Sequence, residues 1–210
     1  KEITKLAAVI SGPQYTVEWL GESLPSDFYT LKGILDSVFT RLSLKQHITY
    51  EATNEYKELH PGRTAHVLLK GKVVGLIGEL HPKYAKSYDL NQTTVFEVNL
   101  DKLYIETEGT IRYEQLPKYP QITRDIALEV NSEVTVQDIT DLIYKLNVKY
   151  LINIEPFDVY EGEHIEAGKK SVALHLTYLN KEETLTDEVV ETLHTPVVEA
   201  LLGEGFKIRE

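Results

Sequence analysis

Residues 124–131 read Arg124-Asp125-Ile126-Ala127-Leu128-Glu129-Val130-Asn131. Apolar residues recur at every second position, the period of a strand with one buried face. Ile126, Leu128 and Val130 point one way; Asp125, Ala127 and Glu129 point the other. Thr135 follows as a helix N-cap with Asp138 three residues on, and Val136, Ile139, Ile143 and Leu146 supply a helical stripe. Working outward, Ile152–Tyr160 reads as a second strand, broken at Pro156 and so an edge strand or a bulge. Lys170–Tyr178 is a third, with Val172, Leu174 and Leu176 set against Ser171, Ala173, His175 and Thr177. Thr186 caps a second helix, and Asp187 and Glu188 suit its positive end. Val189, Val190, Leu193, Val197 and Leu201 form its stripe. Gly203 is expected to end it, and Pro196 to kink it near Thr192. Phe206 and Ile208 alternate with Lys207 and Arg209 in a closing strand. The order is a split β-α-β-β-α-β unit of the α+β class.

Upstream the pattern is sparser. Phe28, Leu31, Leu35, Val38, Phe39 and Leu42 trace an amphipathic helix. His66–Leu69 and Val73–Ile77 flank Lys70-Gly71-Lys72, a hairpin signal. Pro82–Tyr88 reads as a short helix and Thr94–Val98 as a strand. Residues 105–119 lose periodicity and end in the Pro117…Pro120 pair, which predicts one domain over 1–112 and another over 117–210.

The chain has 210 residues, no Cys and a net charge of −11. Residues 116–210 hold 9 Lys and Arg against 18 Asp and Glu, a balance of −9, which leaves −2 for residues 1–115. A nucleic-acid contact therefore has to come from a local surface and not from the bulk field. Without Cys there are no disulfides and no thiol nucleophiles, which is compatible with a reducing cytoplasm. No apolar run approaches the roughly 18 residues that cross a bilayer, and Lys1-Glu2-Ile3-Thr4-Lys5 has no signal-peptide pattern. The missing initiator Met makes the chain read as a piece of a longer one.

Alternation assigns an exposed sheet face carrying Ala127, Glu129, Asp158, Tyr160, Ser171, Ala173, His175, Lys207 and Arg209, with Phe157 and Val159 expected on the helix side. Small residues leave room for a flat base, Tyr160 offers a stacking surface, and Lys207 and Arg209 add positive charge; four-stranded sheets hold single-stranded RNA in this way. A carboxylate at Asp158 could accept the adjacent N1–H and N2–H donors of a guanine. Arg124 and Asp125 read as an ion pair closing the strand start, in preference to an RNA contact. Lys169 and Lys170 sit in a turn where a lysine could reach an RNA backbone, although Gly168-Lys169-Lys170 lacks the spacing of a phosphate loop. Glu161, Glu163 and Glu166 flank His164 without HExxH or EF-hand spacing, so no metal site is expected. Nothing marks a catalytic residue.

Pro117-Lys118-Tyr119-Pro120, Arg124-Asp125-Ile126-Ala127, Phe157-Asp158-Val159-Tyr160-Glu161-Gly162, Gly168-Lys169-Lys170-Ser171 and Leu185-Thr186-Asp187-Glu188 stand in fixed order. In that order they closely resemble the ferredoxin-fold anticodon-binding domain ending the β subunit of bacterial phenylalanine–tRNA ligases. The resemblance implies a ferredoxin-like sandwich, with Ala127, Asp158, Tyr160 and Ser171 at positions that contact the first anticodon base. Leu59-His60-Pro61-Gly62-Arg63 and Ile77-Gly78-Glu79-Leu80-His81-Pro82 resemble the module that precedes it, a class II synthetase-like fold without an active site. Where the catalytic subunit has a glycine-rich strand and an ATP-binding Arg, this chain has Val95–Leu103, with neither.

That family implies tRNA(Phe) and a catalytic α subunit as partners, in an α2β2 heterotetramer of the cytoplasm. ATP and magnesium would be used by the whole enzyme and not by this part. Two other classes compete. A ferredoxin-like regulatory module binding a small molecule would need a glycine-lined loop after the first strand, where Asn131-Ser132-Glu133-Val134 stands. A small hydrolase on this fold would need an anion-binding loop with an Arg, which is missing.

Overall fold

The amphipathic stretch that begins at Phe28 forms a helix in the computed structural model, which describes residues 2–13, 15–17, 19, 22–105, 115–163 and 165–209. Contacts divide the chain into two units, Lys1–Tyr113 and Glu114–Glu210. The first contains β1 (Lys5–Ser11), a ribbon of β2 (Tyr15–Val17) and β3 (Glu22–Leu24), and α1 (Phe28–Arg41). It continues with β4 (Ile48–Ala52), β5 (Leu59–Leu69), β6 (Lys72–Leu80), α2 (Pro82–Ser87), β7 (Thr93–Asn99) and α3 (Leu100–Ile105). Five strands pair in the order β1-β7-β6-β5-β4, each antiparallel to its neighbour. The Asp27 carboxylate accepts a hydrogen bond from the Thr30 N–H at 2.7 Å and starts α1. The buried residues Leu31, Leu35 and Phe39 of α1 share one core with Val67, Ile77, Phe96 and Val98 of the sheet. The segment Val95–Leu103 is interior strand followed by helix. Its Lys102 donates to the Val73 carbonyl at 2.7 Å, and Glu97 is paired with Lys5 at 2.6 Å.

The second unit runs β8 (Ile122–Asn131), α4 (Val136–Lys145), β9 (Leu151–Tyr160), β10 (Lys169–Tyr178), α5 (Asp187–Gly203) and β11 (Lys207–Arg209). Its strands lie in the order β11-β8-β10-β9, all antiparallel: fourth, first, third, second by sequence. This is the ferredoxin-like sandwich of an α+β protein. Leu128, Val172, Leu174 and Leu176 are fully buried with Ile139 and Ile143 of α4 and Val190, Val197 and Leu201 of α5. Thr135 and Asp138 form a reciprocal capping box: the Thr135 hydroxyl accepts from the Asp138 N–H at 3.1 Å, and the Asp138 carboxylate accepts from the Thr135 N–H at 2.8 Å.

Pro196 lies inside α5, as expected, and one detail at the helix end differs from the sequence expectation. The helix runs on to Gly203, and the left-handed position belongs to Gly205, with φ of 84°. The Phe206 N–H closes this end by donating to the Leu201 carbonyl at 3.2 Å. Two further residues fit into the helix because Gly203 itself need not leave the helical region.

His194 of α5 is buried, and its Nδ1 lies 3.0 Å from the Tyr178 hydroxyl. Burial holds the His194 imidazole below its ordinary value and pushes the Tyr178 phenol up to about 12. The sign follows from linkage. Below about pH 6.5 the unfolded chain takes up a proton that the folded chain resists, so stability falls as pH drops from there, and the contribution is complete above it. Melting temperatures taken near pH 7.5 and near pH 5.5 should fall more for the natural chain than for His194→Gln. An equal fall in both would remove His194 as the source.

Candidate nucleic-acid interface

Strand register alone sets the open face of the second sheet, because residues paired across an antiparallel ladder share a side. From β11 across to β9, one row is Lys207, Glu129, Ser171 and Tyr160. The next is Arg209, Ala127, Ala173 and Asp158, and a third holds Asp125, His175 and Glu155. With strands about 4.8 Å apart, a four-residue row spans roughly 14 Å, and successive rows stand roughly 6.7 Å apart. Ala127, Asp158, Tyr160 and Ser171 therefore fall in two adjacent rows. Ala173, between Ala127 and Asp158, extends the low floor that Ala127 begins.

Asp158 and Tyr160 are exposed at the edge strand. Among the described residues no hydrogen bond or ion pair engages Asp158, so both carboxylate oxygens can accept from a ligand. The Tyr160 ring lies over Gly162. A Cβ added there would stand 2.5 Å from the Tyr160 hydroxyl oxygen and 2.7 Å from Cζ, so only glycine leaves the ring its place.

The charged residues of the face are organised around Glu129, which Lys169 approaches at 3.2 Å and Lys207 at 3.7 Å. Lys169 also meets Glu166 at 2.6 Å. Hydrogen bonding to Glu166, and then to Glu129, holds the Lys169 ammonium above the ordinary lysine value, and the same contact holds Glu166 below the ordinary glutamate value. Lys170 donates to the Ser132 carbonyl at 2.8 Å. Lys169 and Lys170, expected in a turn, instead open β10 and have closer protein partners than Lys207, which is largely exposed with Arg209 beside it on the outer strand.

Two expectations are corrected here. Arg124 and Asp125 do not pair with each other: Arg124 reaches Asp187 at the start of α5 at 2.5 Å, and Asp125 meets His175 Nδ1 at 2.6 Å. Adjacent strand residues face opposite sides, so each finds its partner on its own side. Phe157 is not on the helix side. The ladder between β9 and β10 shifts between Ala173 and Leu174, which pair with Asp158 and Pro156 and leave Phe157 as an extra residue. That bulge turns its ring onto the open face, stacked on His175 at 3.9 Å and 13°. Val159 stays paired with Val172 on the helix side but is half-exposed at the edge. Pro156 was the signal in the sequence: a proline inside a strand marks a bulge, and a bulge reverses the alternation beyond it. Among the described residues no group of three or more His, Asp or Glu could hold a metal ion; His164 lies outside them.

The second unit is thus a four-stranded ferredoxin-like sheet whose open face carries a small-residue floor, an edge tyrosine and an unpaired carboxylate, and comparison specifies its class. Residues 117–209 match the family described as "Ferredoxin-fold anticodon binding domain", and residues 1–100 match "Phenylalanyl tRNA synthetase beta chain CLM domain". Phenylalanine–tRNA ligase β subunits from Staphylococcus haemolyticus and Bacillus licheniformis are each 45% identical, over 208 and 196 residues. These matches cover 99% and 93% of this chain. The corresponding protein of Latilactobacillus sakei is 41% identical over 202 residues, 96% of the chain. The chain belongs to the phenylalanine–tRNA ligase β-subunit family, and it spans about a quarter of the length of these relatives, 26%, 24% and 25% in turn.

Proposed function

We propose that the open face of the second unit binds the anticodon loop of tRNA(Phe). Asp158 accepts the N1–H and N2–H of the first anticodon base, a guanine, and Tyr160 stacks on that base. Ala127 and Ala173 leave space for the ring, Ser171 supplies a hydroxyl beside it, and Lys207 and Arg209 face the backbone phosphates. The observation that carries this reading is the exposed Asp158 carboxylate, without a protein partner among the described residues, two positions from a ring held in place over Gly162. Whole-enzyme chemistry, the ATP-dependent charging of tRNA with phenylalanine, would reside in a catalytic α subunit. The first unit would serve assembly with it in an α2β2 enzyme of the cytoplasm. No described helix is long and apolar enough to cross a membrane.

A metabolite-binding regulatory module is less well supported. The loop after β8, where such a ligand would sit, has its Ser132 carbonyl occupied by Lys170.

Binding of a short RNA hairpin carrying this anticodon loop should be weak, near the micromolar range of non-specific contacts. If about three phosphates are neutralised, at roughly −0.7 each, the logarithm of the binding constant should fall with the logarithm of salt at a slope of about −2. A slope steeper than about −5 would require a large basic surface, which this face does not carry.

ATP and magnesium are not expected to bind the chain. In Val95–Leu103 the one cationic side chain, Lys102, is held by the Val73 carbonyl, and no arginine is present to meet a triphosphate. Phenylalanine-dependent pyrophosphate exchange by the purified chain should stay at background; exchange above it would overturn this.

A further inference from the structure

We infer that Phe157 and His175 form a second nucleobase platform, distinct from the one at Asp158 and Tyr160, which stacks another nucleotide of the same single strand. The inference rests on the RNA-binding reading of this face and goes beyond it. Three observations carry it. The bulge at Phe157 turns a large aromatic ring out of the core side, where Val159 and Ile154 of the same strand remain. The ring is half-exposed, at 50%, and its inner face is covered by His175 in a parallel stack of 3.9 Å, so one π-face remains for a ligand. His175 is in turn fixed by Asp125 at 2.6 Å.

A half-exposed phenylalanine leaves apolar ring surface in water, and a base has the shape and π-face to cover it. The spacing suits a strand and not a single base. Tyr160 and the Phe157–His175 pair stand two rows apart, roughly 13 Å, with the Ala127–Ala173–Asp158 row between them. One planar base cannot touch both rings, whereas two nucleotides of an unstacked loop can. Phe157 carries no hydrogen-bonding group, so this second site should take any base, while Asp158 discriminates.

The test uses the full chain and a short RNA hairpin with a tRNA-type anticodon loop, in which 2-aminopurine replaces one loop base at a time. Stacking on an aromatic ring quenches this fluorophore. The natural chain should alter the emission at two separate positions at saturating protein. Tyr160→Ala should abolish the change at one position, Phe157→Ala at the other, and Phe157→Tyr should retain both. Phe157→Ala should weaken hairpin binding by roughly 5- to 150-fold, whichever base occupies its position. Circular dichroism should show the Phe157→Ala chain folded, since the ring it removes is not in the core.

If only the Tyr160-dependent position responds, or if Phe157→Ala leaves both responses intact, the second platform is overturned while anticodon binding stands. If the natural chain binds no hairpin, anticodon binding fails and the platform with it. Should Phe157→Ala prove unfolded, Phe157→Lys takes its place, since it keeps length and exposure at this bulge. Loss of one quenched position in that folded variant supports the platform, and retention overturns it.

Discussion

Replacing Asp158 with Asn should relax the preference for guanine at the first anticodon position while leaving the protein folded. The substitution keeps the shape of the side chain but turns one of two acceptors into a donor, which then opposes the N1–H or N2–H it met. Two-point recognition of a base edge is worth about 1–3 kcal/mol of discrimination, or roughly 5- to 150-fold. Inosine at that position isolates the effect, because it keeps N1–H and lacks the N2 amino group. The natural chain should bind the guanine hairpin more tightly than the inosine one, and Asp158→Asn should bring the two together. Tyr160→Ala should instead weaken both by a similar factor, since stacking, worth about 1–3 kcal/mol per base, is indifferent to the edge. The same pattern should appear in aminoacylation by the complete ligase carrying each change. An unaltered preference for guanine in Asp158→Asn would mean that another group reads the base.

The largest loss of stability is expected from Leu174→Ala. Leu174 is fully buried at the middle of β10, between β8 and β9, and packs in the core shared by α4 and α5. Truncating a leucine in such a place removes its transfer free energy and leaves a cavity, for about 2–5 kcal/mol. In a domain of this size each kcal/mol lowers the melting temperature by about 4–8 °C. Val159→Ala makes a similar truncation on the same side of the sheet, but at a half-exposed edge position, and should cost well under half as much. Hydrogen exchange of the β8 and β10 amides separates unfolding of the second unit from that of the first. Equal, small losses in the two variants would show that this core does not bear the stability of the unit.

Hairpin-binding and stability measurements should therefore diverge. Asp158 and Tyr160 change binding without the fold, and Leu174 changes the fold and binding only through it.

Much of the second unit is legible locally. The alternation in Arg124–Asn131, the Thr135–Asp138 cap and the apolar stripe of Val190, Val197 and Leu201 are each written within a few residues, and the structure realises all three. Capping and periodicity need no knowledge of distant partners, because their physics is complete within one turn or one pleat. The ordered motifs carried the family for the same reason. Local pattern also put Ala127, Asp158, Tyr160 and Ser171 on one side of their strands.

Tertiary structure alone decided the rest. Lys169 meets Glu166 three residues away, but its second contact depends on Glu129 lying on the neighbouring strand, and Arg124 finds Asp187 because α5 begins beside β8. Neither Glu129 nor Asp187 is near its partner in sequence. Phe157 is the clearest case: alternation counts positions along one strand, whereas a bulge is a mismatch between two strands. One unpaired residue opposite β10 sent its ring to the open face. In the second unit the sequence by itself determined the elements, their N-terminal caps and the faces of regular strands, since those follow from short-range sterics and burial; β1 and β4 of the first unit emerged only with the sheet they join. Pairing across strands and helices, including the aromatic stack beside the Asp158 row, came only with the register of the folded sheet.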